Sequence, residues 1–199
     1  MPITTRPAKP EDVLDLYAVM SSAFAGSALD SRVFPSSDPS TIPDQIANIT
    51  KNLSAVTVAQ DENGVIQGWA SWMRRDANLP PATVRPEDFP ATGDRAFGVR
   101  FFQNNADKSR AAARGEAHWF LSIMVVRPEA QRKGVGAALM SDGVRRIDED
   151  GALIAIVNGS PAGKGLYERY GFRTVEDSAF EDGIHSFHMR RESLGRIDE

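Results

Sequence analysis

One short segment most limits what the chain can fold into and bind. Residues 126–137 read VRPEAQRKGVGA, which predicts the end of a strand, a loop and the start of a helix. Gly134 and Gly136 lack a Cβ, so the backbone there can approach a ligand closely. The first turn of a helix leaves N–H groups unpaired, and these groups, with the helix dipole, favour an anion. Because Arg132 and Lys133 add positive charge, the segment predicts a phosphate or pyrophosphate site.

Two common nucleotide-binding loops do not fit this sequence. A dinucleotide fingerprint needs a third glycine three residues after Gly136, where the chain has Leu139. A Walker loop built on Gly163 needs a glycine in place of Asn158, and Ser or Thr in place of Gly165. The predicted phosphate site is therefore of another kind.

Composition excludes several further classes. The chain has 199 residues, no cysteine, and a formal net charge of −4 from 23 Lys+Arg and 27 Asp+Glu. The length fits a single domain over residues 1–199. The absence of cysteine excludes disulfides, thiolate metal sites and a cysteine nucleophile. With no long apolar run, no signal peptide and an acidic balance, we expect a cytoplasmic protein without a metal, a membrane partner or a nucleic-acid partner.

Hydrophobic periodicity predicts a mixed α/β sheet, in the order β, α, α, β, β, insert, β, α, β, α, β, β. Strands are predicted at 3–6, 55–59, 65–73, 118–126, 153–157, 173–176 and 186–191, and helices at 10–24, 42–53, 134–148 and 163–170. Residues 26–39, rich in Ser, Asp and Pro, are predicted to be a loop, and 61–64 a hairpin turn.

An insertion at about 76–115 interrupts this order. It begins with prolines and ends in a stretch, 95–114, whose composition suits a helix. A structureless connection of this length is unusual in a compact domain. Two interpretations stay open, a solvated insertion or a cap that faces the substrate, with Phe101 and Phe102 as candidates for an apolar lid.

The pattern V-x-P-x-x-Q-R-x-G-x-G-A at 126–137 resembles the acetyl-CoA pyrophosphate loop of the GNAT superfamily of N-acetyltransferases. A second pattern typical of that family, L-Y-E-x-x-G-F, occupies 166–172, with one strand between the two. The resemblance extends over nearly the whole element order, the insertion excepted. It implies a mostly antiparallel mixed sheet flanked by helices, in which the central strands His118–Val126 and Leu153–Val157 splay to admit pantetheine.

The resemblance also implies which residues bind acetyl-CoA. Backbone groups of the 118–126 strand match the contacts to pantetheine and the acetyl carbonyl, and the loop matches the pyrophosphate contacts. Ser160 stands where the family often has Asn, and Gly163 where it often has Ala. The implied cofactor-binding residues are Met124, Val125, Val126, Gln131, Arg132, Lys133, Gly134, Val135, Gly136, Ala137, Asn158, Ser160, Gly163 and Tyr167.

Tyr167 matches the family tyrosine that protonates the departing CoA thiolate. A phenol with a pKa of about 10 holds its proton at neutral pH and can donate it as charge develops. The alternative role for Tyr167 is packing beside Phe172. Tyr170, three residues later, is expected to pack at the end of the helix.

His118 is the leading candidate for the general base, acting through water. Strand alternation predicts that it shares a face with Phe120, Ser122, Met124 and Val126. A histidine hydrogen-bonded at the boundary of the insertion is the structural alternative. Ser122 and Glu116 are weaker candidates for the base, and His185 and His188 could line the acceptor pocket.

The resemblance therefore implies transfer of an acetyl group from acetyl-CoA to a primary amine of a small molecule. The absence of cysteine agrees with direct attack by the amine in a ternary complex. Two other functions stay open, a non-catalytic acyl-CoA-binding or sensing domain and a protein N-acetyltransferase. A capped pocket would favour a small acceptor and an open groove a peptide. The oligomeric state, with a homodimer as one option, is left open.

Overall fold

The computed structural model describes residues 2–35, 38–151 and 154–192. Within these ranges seven strands form one sheet in the order β1-β2-β3-β4-β5-β7-β6. The strands are β1 (Thr4–Pro7), β2 (Val56–Gln60), β3 (Ile66–Arg75), β4 (His118–Val126), β5 (Ile154–Gly159), β6 (Arg173–Ala179) and β7 (His185–Arg191). The helices are α1 (Val13–Phe24), α2 (Ala28–Val33), α3 (Ile42–Lys51), α4 (Arg95–Ala113), α5 (Val135–Glu149) and α6 (Pro161–Arg169).

The predicted sheet is confirmed as mixed and mostly antiparallel, since the parallel pairing is confined to β4 and β5. Helices cover both faces. Apolar side chains of α1 and α3 pack on one face, against β2, β3 and β4. Ala112 and Ala113 of α4 pack on the same face against β5, while α5 and Tyr167 of α6 cover the opposite face. Leu153, the first residue of the predicted strand 153–157, lies outside the described residues.

A bulge in β4 controls the centre of the sheet. Ser71 pairs with Ile123 and the next residue, Trp72, pairs with Leu121, so Ser122 is an extra residue in β4. The parallel pairing of β4 with β5 ends at Leu121 and Val157. The predicted splay of the central strands is therefore confirmed, and it begins at the bulge.

The bulge corrects one prediction about β4. Strict alternation placed His118 on one face with Met124 and Val126, but the extra residue reverses the alternation after Ser122. Phe120 packs with α4, whereas Met124 and Val126 pack on the α5 side. The prediction was wrong because the sequence of β4 gives no local sign of the inserted residue.

The loop predicted over 26–39 contains a helix, α2. Ser27 begins it, because its side chain accepts a hydrogen bond from the backbone N–H of Asp30 at 3.0 Å. Val33, at the end of α2, is fully buried. Ser and Asp in this segment therefore start and line a helix, so the prediction of a continuous loop was wrong.

The 95–114 part of the insertion folds as the helix α4 and packs on the sheet. Asp94 caps it by accepting the backbone N–H of Phe97 at 2.9 Å. Phe97 and Phe101 are buried with Val33 of α2 and Ile184, which precedes β7. The description as a solvated insertion does not fit α4, because this helix has a small apolar core of its own.

Among the described residues, no helix combines the length and apolar character that crossing a membrane requires.

Two glycines inside helices give a test of the packing on α5. A Cβ on Gly143 would lie 2.6 Å from Cε2 of Trp72, whereas a Cβ on Gly165 of α6 would meet nothing within 4 Å. We expect Gly143→Ala to lower the free energy of unfolding by about 1–3 kcal/mol, because overpacking exceeds the gain in helix propensity. Gly165→Ala should instead raise it, by up to about 1 kcal/mol. Urea unfolding measures both, and equal stabilisation by the two variants would contradict the packing described here.

Candidate active site

A cleft of about 1570 Å³ lies on the face of the sheet that carries α1, α3 and α4. Strands β3 and β4 contribute Ser71, Arg75, His118 and Phe120 to it, and α4 contributes one wall. The cleft reaches the opening between β4 and β5, because Met124, Val157 and Tyr167 also line it. The site is therefore a pocket that continues into the gap in the sheet.

The loop before α5 has the backbone geometry that the predicted anion site requires. Gly134 begins α5 with a positive φ of 91°, and no side chain caps this end of the helix. The first intrahelical bond runs from the N–H of Ala138 to the carbonyl of Gly134, at 2.9 Å. The preceding N–H groups of the first turn are therefore free to bind an anion, with Arg132 and Lys133 exposed beside them. This arrangement fits a pyrophosphate.

Two of the glycines have packing reasons that the sequence did not reveal. A Cβ on Gly136 would lie 3.0 Å from Cδ2 of Leu166. A Cβ on Gly163 would lie 2.9 Å from Cε2 of Tyr167. Gly136 thus lets α5 and α6 approach each other, and Gly163 leaves room for the tyrosine ring. Their predicted contact with a ligand stays a prediction.

Tyr167 belongs to the apolar cluster on the α5 side and still lines the cleft on the other side. Its ring contacts Phe172 edge to face, with centroids 6.2 Å apart. The packing beside Phe172 that the sequence offered as an alternative role is therefore observed. The side chain is 7% exposed, and burial raises the pKa of its hydroxyl to about 12. The phenol is therefore protonated across the neutral range, as a general acid must be.

Tyr170 and Ser160 have structural partners. The Tyr170 hydroxyl donates to the carbonyl of Ala137 at 2.8 Å and lies 2.9 Å from the Ser141 hydroxyl, which ties the end of α6 to α5. Ser160 caps α6 by accepting the N–H of Gly163 at 3.3 Å. Tyr170 packs at the helix end, as the sequence indicated.

His118 lines the cleft and is 4% exposed. Its Nδ1 lies 2.9 Å from the backbone carbonyl of Glu116, an acceptor, so Nδ1 carries the hydrogen and Nε2 keeps its lone pair. Burial lowers the pKa of the imidazole, and the positive charges of Arg75 and Arg190 lower it further. A neutral ring with a free Nε2 is what a general base requires.

The weaker candidates for the base are engaged elsewhere. Ser122 donates to the carbonyl of Ser71 at 3.2 Å, and Glu116 pairs with Arg190 at 2.9 Å. His185 is hydrogen-bonded through Nε2 to Oδ2 of Asp177 at 2.8 Å, near the edge of the sheet formed by β6 and β7. Phe102, but not Phe101, lines the cleft. No group of three or more His, Asp or Glu among the described residues is arranged to hold a metal.

Sequence reasoning missed a buried polar network between α4 and the sheet. His188, fully buried, donates from Nδ1 to the side-chain oxygen of Asn158 at 2.8 Å, and its Nε2 accepts from Ser178 at 3.0 Å. Asn158 also donates to Ser109 of α4 at 2.8 Å. Burial lowers the pKa of His188, which keeps it neutral. The amide of Asn158, predicted to contact the cofactor, is thus held in this network at the rim of the cleft.

The remaining predicted cofactor residues lie on β4 and on the loop that follows it. Val125 is buried against α1, whereas Met124 lines the cleft. Gln131 donates from its side chain to the carbonyl of Val126 at 3.3 Å, which braces the loop. The structure therefore brings Met124, Tyr167 and Asn158 to one gap, with the α5 loop at the end of β4.

Comparisons with known proteins agree with this geometry. Residues 100–193 match the sequence model of the family described as acetyltransferase (GNAT) domain. The chain is similar to a solved Corynebacterium glutamicum protein described as histone acetyltransferase HPA2 and related acetyltransferase, with 22% identity, TM-score 0.68 and 99% of each chain covered. It is also similar to mosquito arylalkylamine N-acetyltransferase like 5b, with 13% identity, TM-score 0.73 and coverage of 96% and 100%.

A third solved structure is the ribosomal-protein-S18-alanine N-acetyltransferase of Escherichia coli, with 16% identity, TM-score 0.59 and coverage of 100% and 99%. At these identities the three structures establish the fold, and the matched family model adds the domain. The resemblance drawn from the two sequence patterns is therefore confirmed by the GNAT domain model over residues 100–193, and the whole chain has the fold of solved acetyltransferases.

Proposed function

We propose that this chain transfers the acetyl group of acetyl-CoA to the primary amine of a small molecule, by direct attack within a ternary complex. The observation that carries the proposal is the position of Tyr167, which reaches the gap between β4 and β5 from α6 and lines the cleft. This position supports a role for the protonated phenol as the group that gives a proton to the sulfur of a thioester bound in the gap.

Each of the groups in the cleft and at the start of α5 has a part in this reaction. The free N–H groups at the start of α5 and the exposed Arg132 and Lys133 hold the pyrophosphate of CoA. The amine nitrogen attacks the thioester carbon, forming a C–N bond, and the C–S bond then breaks. Tyr167 gives its proton to the sulfur, and Nε2 of His118 accepts the proton that the amine loses, through water.

The shape of the cleft supports a small acceptor over a peptide. Helices α2 and α4 and the 78–90 segment line its walls, through residues such as Leu29, Phe89 and Phe102. The solved relatives are named for a histone, an arylalkylamine and a ribosomal-protein alanine, so their names do not choose between the two classes. A walled pocket with aromatic lining accepts a compact amine more readily than an extended chain.

Tyr167→Phe tests the general acid. The change removes the hydroxyl and keeps the ring that packs on Phe172, so we expect kcat to fall by roughly 10²–10³-fold with little change in the Kd for acetyl-CoA. Release of CoA with an accepted amine measures kcat, and calorimetry measures Kd. The matched control, Tyr170→Phe, removes the bond to Ala137 and should cost about 1 kcal/mol of stability while kcat stays near the wild-type value. Full activity in Tyr167→Phe would overturn the assigned role.

His118→Gln tests the base through the pH profile. Because the pKa of His118 is lowered from 6.5, the ring is neutral above that pH, and its protonation should reduce kcat/KM only as the pH falls below about 6.5. The variant should lose this acidic limb together with most of its activity. His185→Gln, at the exposed edge of the sheet, should keep the limb. An unchanged limb in His118→Gln would assign the base elsewhere.

Lys133→Glu tests the anion site. A carboxylate beside the start of α5 repels the pyrophosphate, so we expect the Kd for acetyl-CoA to rise roughly tenfold at low salt, less at high salt. Lys51→Glu, at the exposed end of α3, makes the same change of charge away from the cleft and should leave Kd unchanged. Equal effects of the two variants would show only a general dependence on net charge.

A further inference from the structure

Arg75 has an environment unlike that of Arg190, which is ion-paired with Glu116. It ends β3, where it pairs in register with His118 of β4, and its side chain lines the cleft. Its guanidinium carbon lies 3.8 Å from the centroid of the Phe120 ring, so the cation is stacked on the floor of the pocket. The residue is half-buried. A cation has thus been partly removed from water inside the proposed acceptor site.

No carboxylate among the described residues lies within ion-pair distance of Arg75. The pKa of its guanidinium is lowered, and burial is the cause. Arg32 and Arg190, which also lie beside the cleft or the insertion, have their pKa values raised by carboxylates that bond to them. Arg75 therefore keeps its charge without a counter-ion that the fold supplies.

Its neighbour in sequence shows the contrast. Arg74 is exposed, points to the other face of β3 and lies 3.5 Å from Asp150, at the end of α5. The acids that line the cleft include Asp76, directly after Arg75 in the sequence, Asp30 of α2 and Asp44 of α3, and none of them is ion-paired with Arg75. Glu116, which also lines the cleft, is bonded to Arg190. A partly desolvated and unpaired arginine is costly to keep, and an anion in the cleft would relieve that cost.

We propose that Arg75 binds an anionic group of the acceptor, so that the preferred substrate is an amine that also carries a carboxylate. This inference rests on the proposed function, since it assigns the second end of the same substrate. Phe120 lies two residues before the bulge at Ser122, a span of roughly 7 Å along the strand. An amine at the gap and a carboxylate at Arg75 are then separated by several carbon atoms.

Matched pairs of amines test the proposal. γ-Aminobutyrate is compared with n-propylamine, and ε-aminocaproate with n-pentylamine, because each pair differs by the carboxylate. We expect wild-type kcat/KM, from CoA release, to favour the carboxylate in at least one pair by roughly ten- to hundredfold. Arg75→Gln should bring that ratio close to one, and the ratio cancels any general loss of activity. Arg74→Gln is the matched control and should keep the wild-type ratio.

A second measurement separates this inference from the proposed function. Calorimetry follows the binding of N-acetyl-γ-aminobutyrate and N-acetyl-ε-aminocaproate to the CoA-saturated protein, with the N-acetylated alkylamines as neutral controls. If amines are acetylated but show no carboxylate preference that depends on Arg75, the inference is overturned and the proposed acetyl transfer is retained. Absence of turnover, with carboxylate binding that Arg75→Gln abolishes, overturns amine acetylation and supports the anion site. If neither turnover nor Arg75-dependent binding is observed, both the inference and the proposed function are overturned.

Discussion

The early end of the β4–β5 pairing is the constraint on which the rest of the site depends. These two strands form the parallel pair of the sheet, and their pairing stops at Leu121 and Val157. Beyond that point no strand among the described residues pairs with β4 on the β5 side. The extra residue at Ser122 turns the strand there, and the opening that results lets Tyr167 reach the cleft through the sheet.

The insertion contributes the other half of the site. Helix α4 supplies a wall of the cleft, and its own apolar core joins α2 to the turn before β7. It is also bound to the sheet by polar contacts, because Arg190 of β7 donates to the carbonyl of Ala112 at 2.8 Å and Asn158 bonds to Ser109. The wall of the cleft is therefore made by an element that packs directly on β5 and β7.

Local sequence patterns predicted β4 and the start of α5. They failed where contacts between residues distant in sequence determine the structure. The bounds of β4 and the start of α5 follow from a dense apolar run and from the glycines at 134 and 136. The bulge at Ser122 is set by its pairing with β3, which no window of sequence contains. The bond from Asn158 to Ser109 joins residues 49 positions apart, and that from His188 to Asn158 joins residues 30 apart. Contacts between residues so far apart leave no periodic pattern in the sequence.

The network around Asn158 couples the α4 wall of the cleft to the β5 edge of the gap. Asn158 lies on β5, one residue past the last contact with β4, and holds α4 through Ser109 while it satisfies the buried His188. The α4 wall of the cleft and the β5 edge of the gap are thus linked by buried hydrogen bonds. A substitution that moves α4 would therefore also shift the β5 edge of the gap at Asn158. Helix α2 and the 78–90 segment line the same cleft outside that polar network, and they are coupled to α4 through a shared apolar core instead.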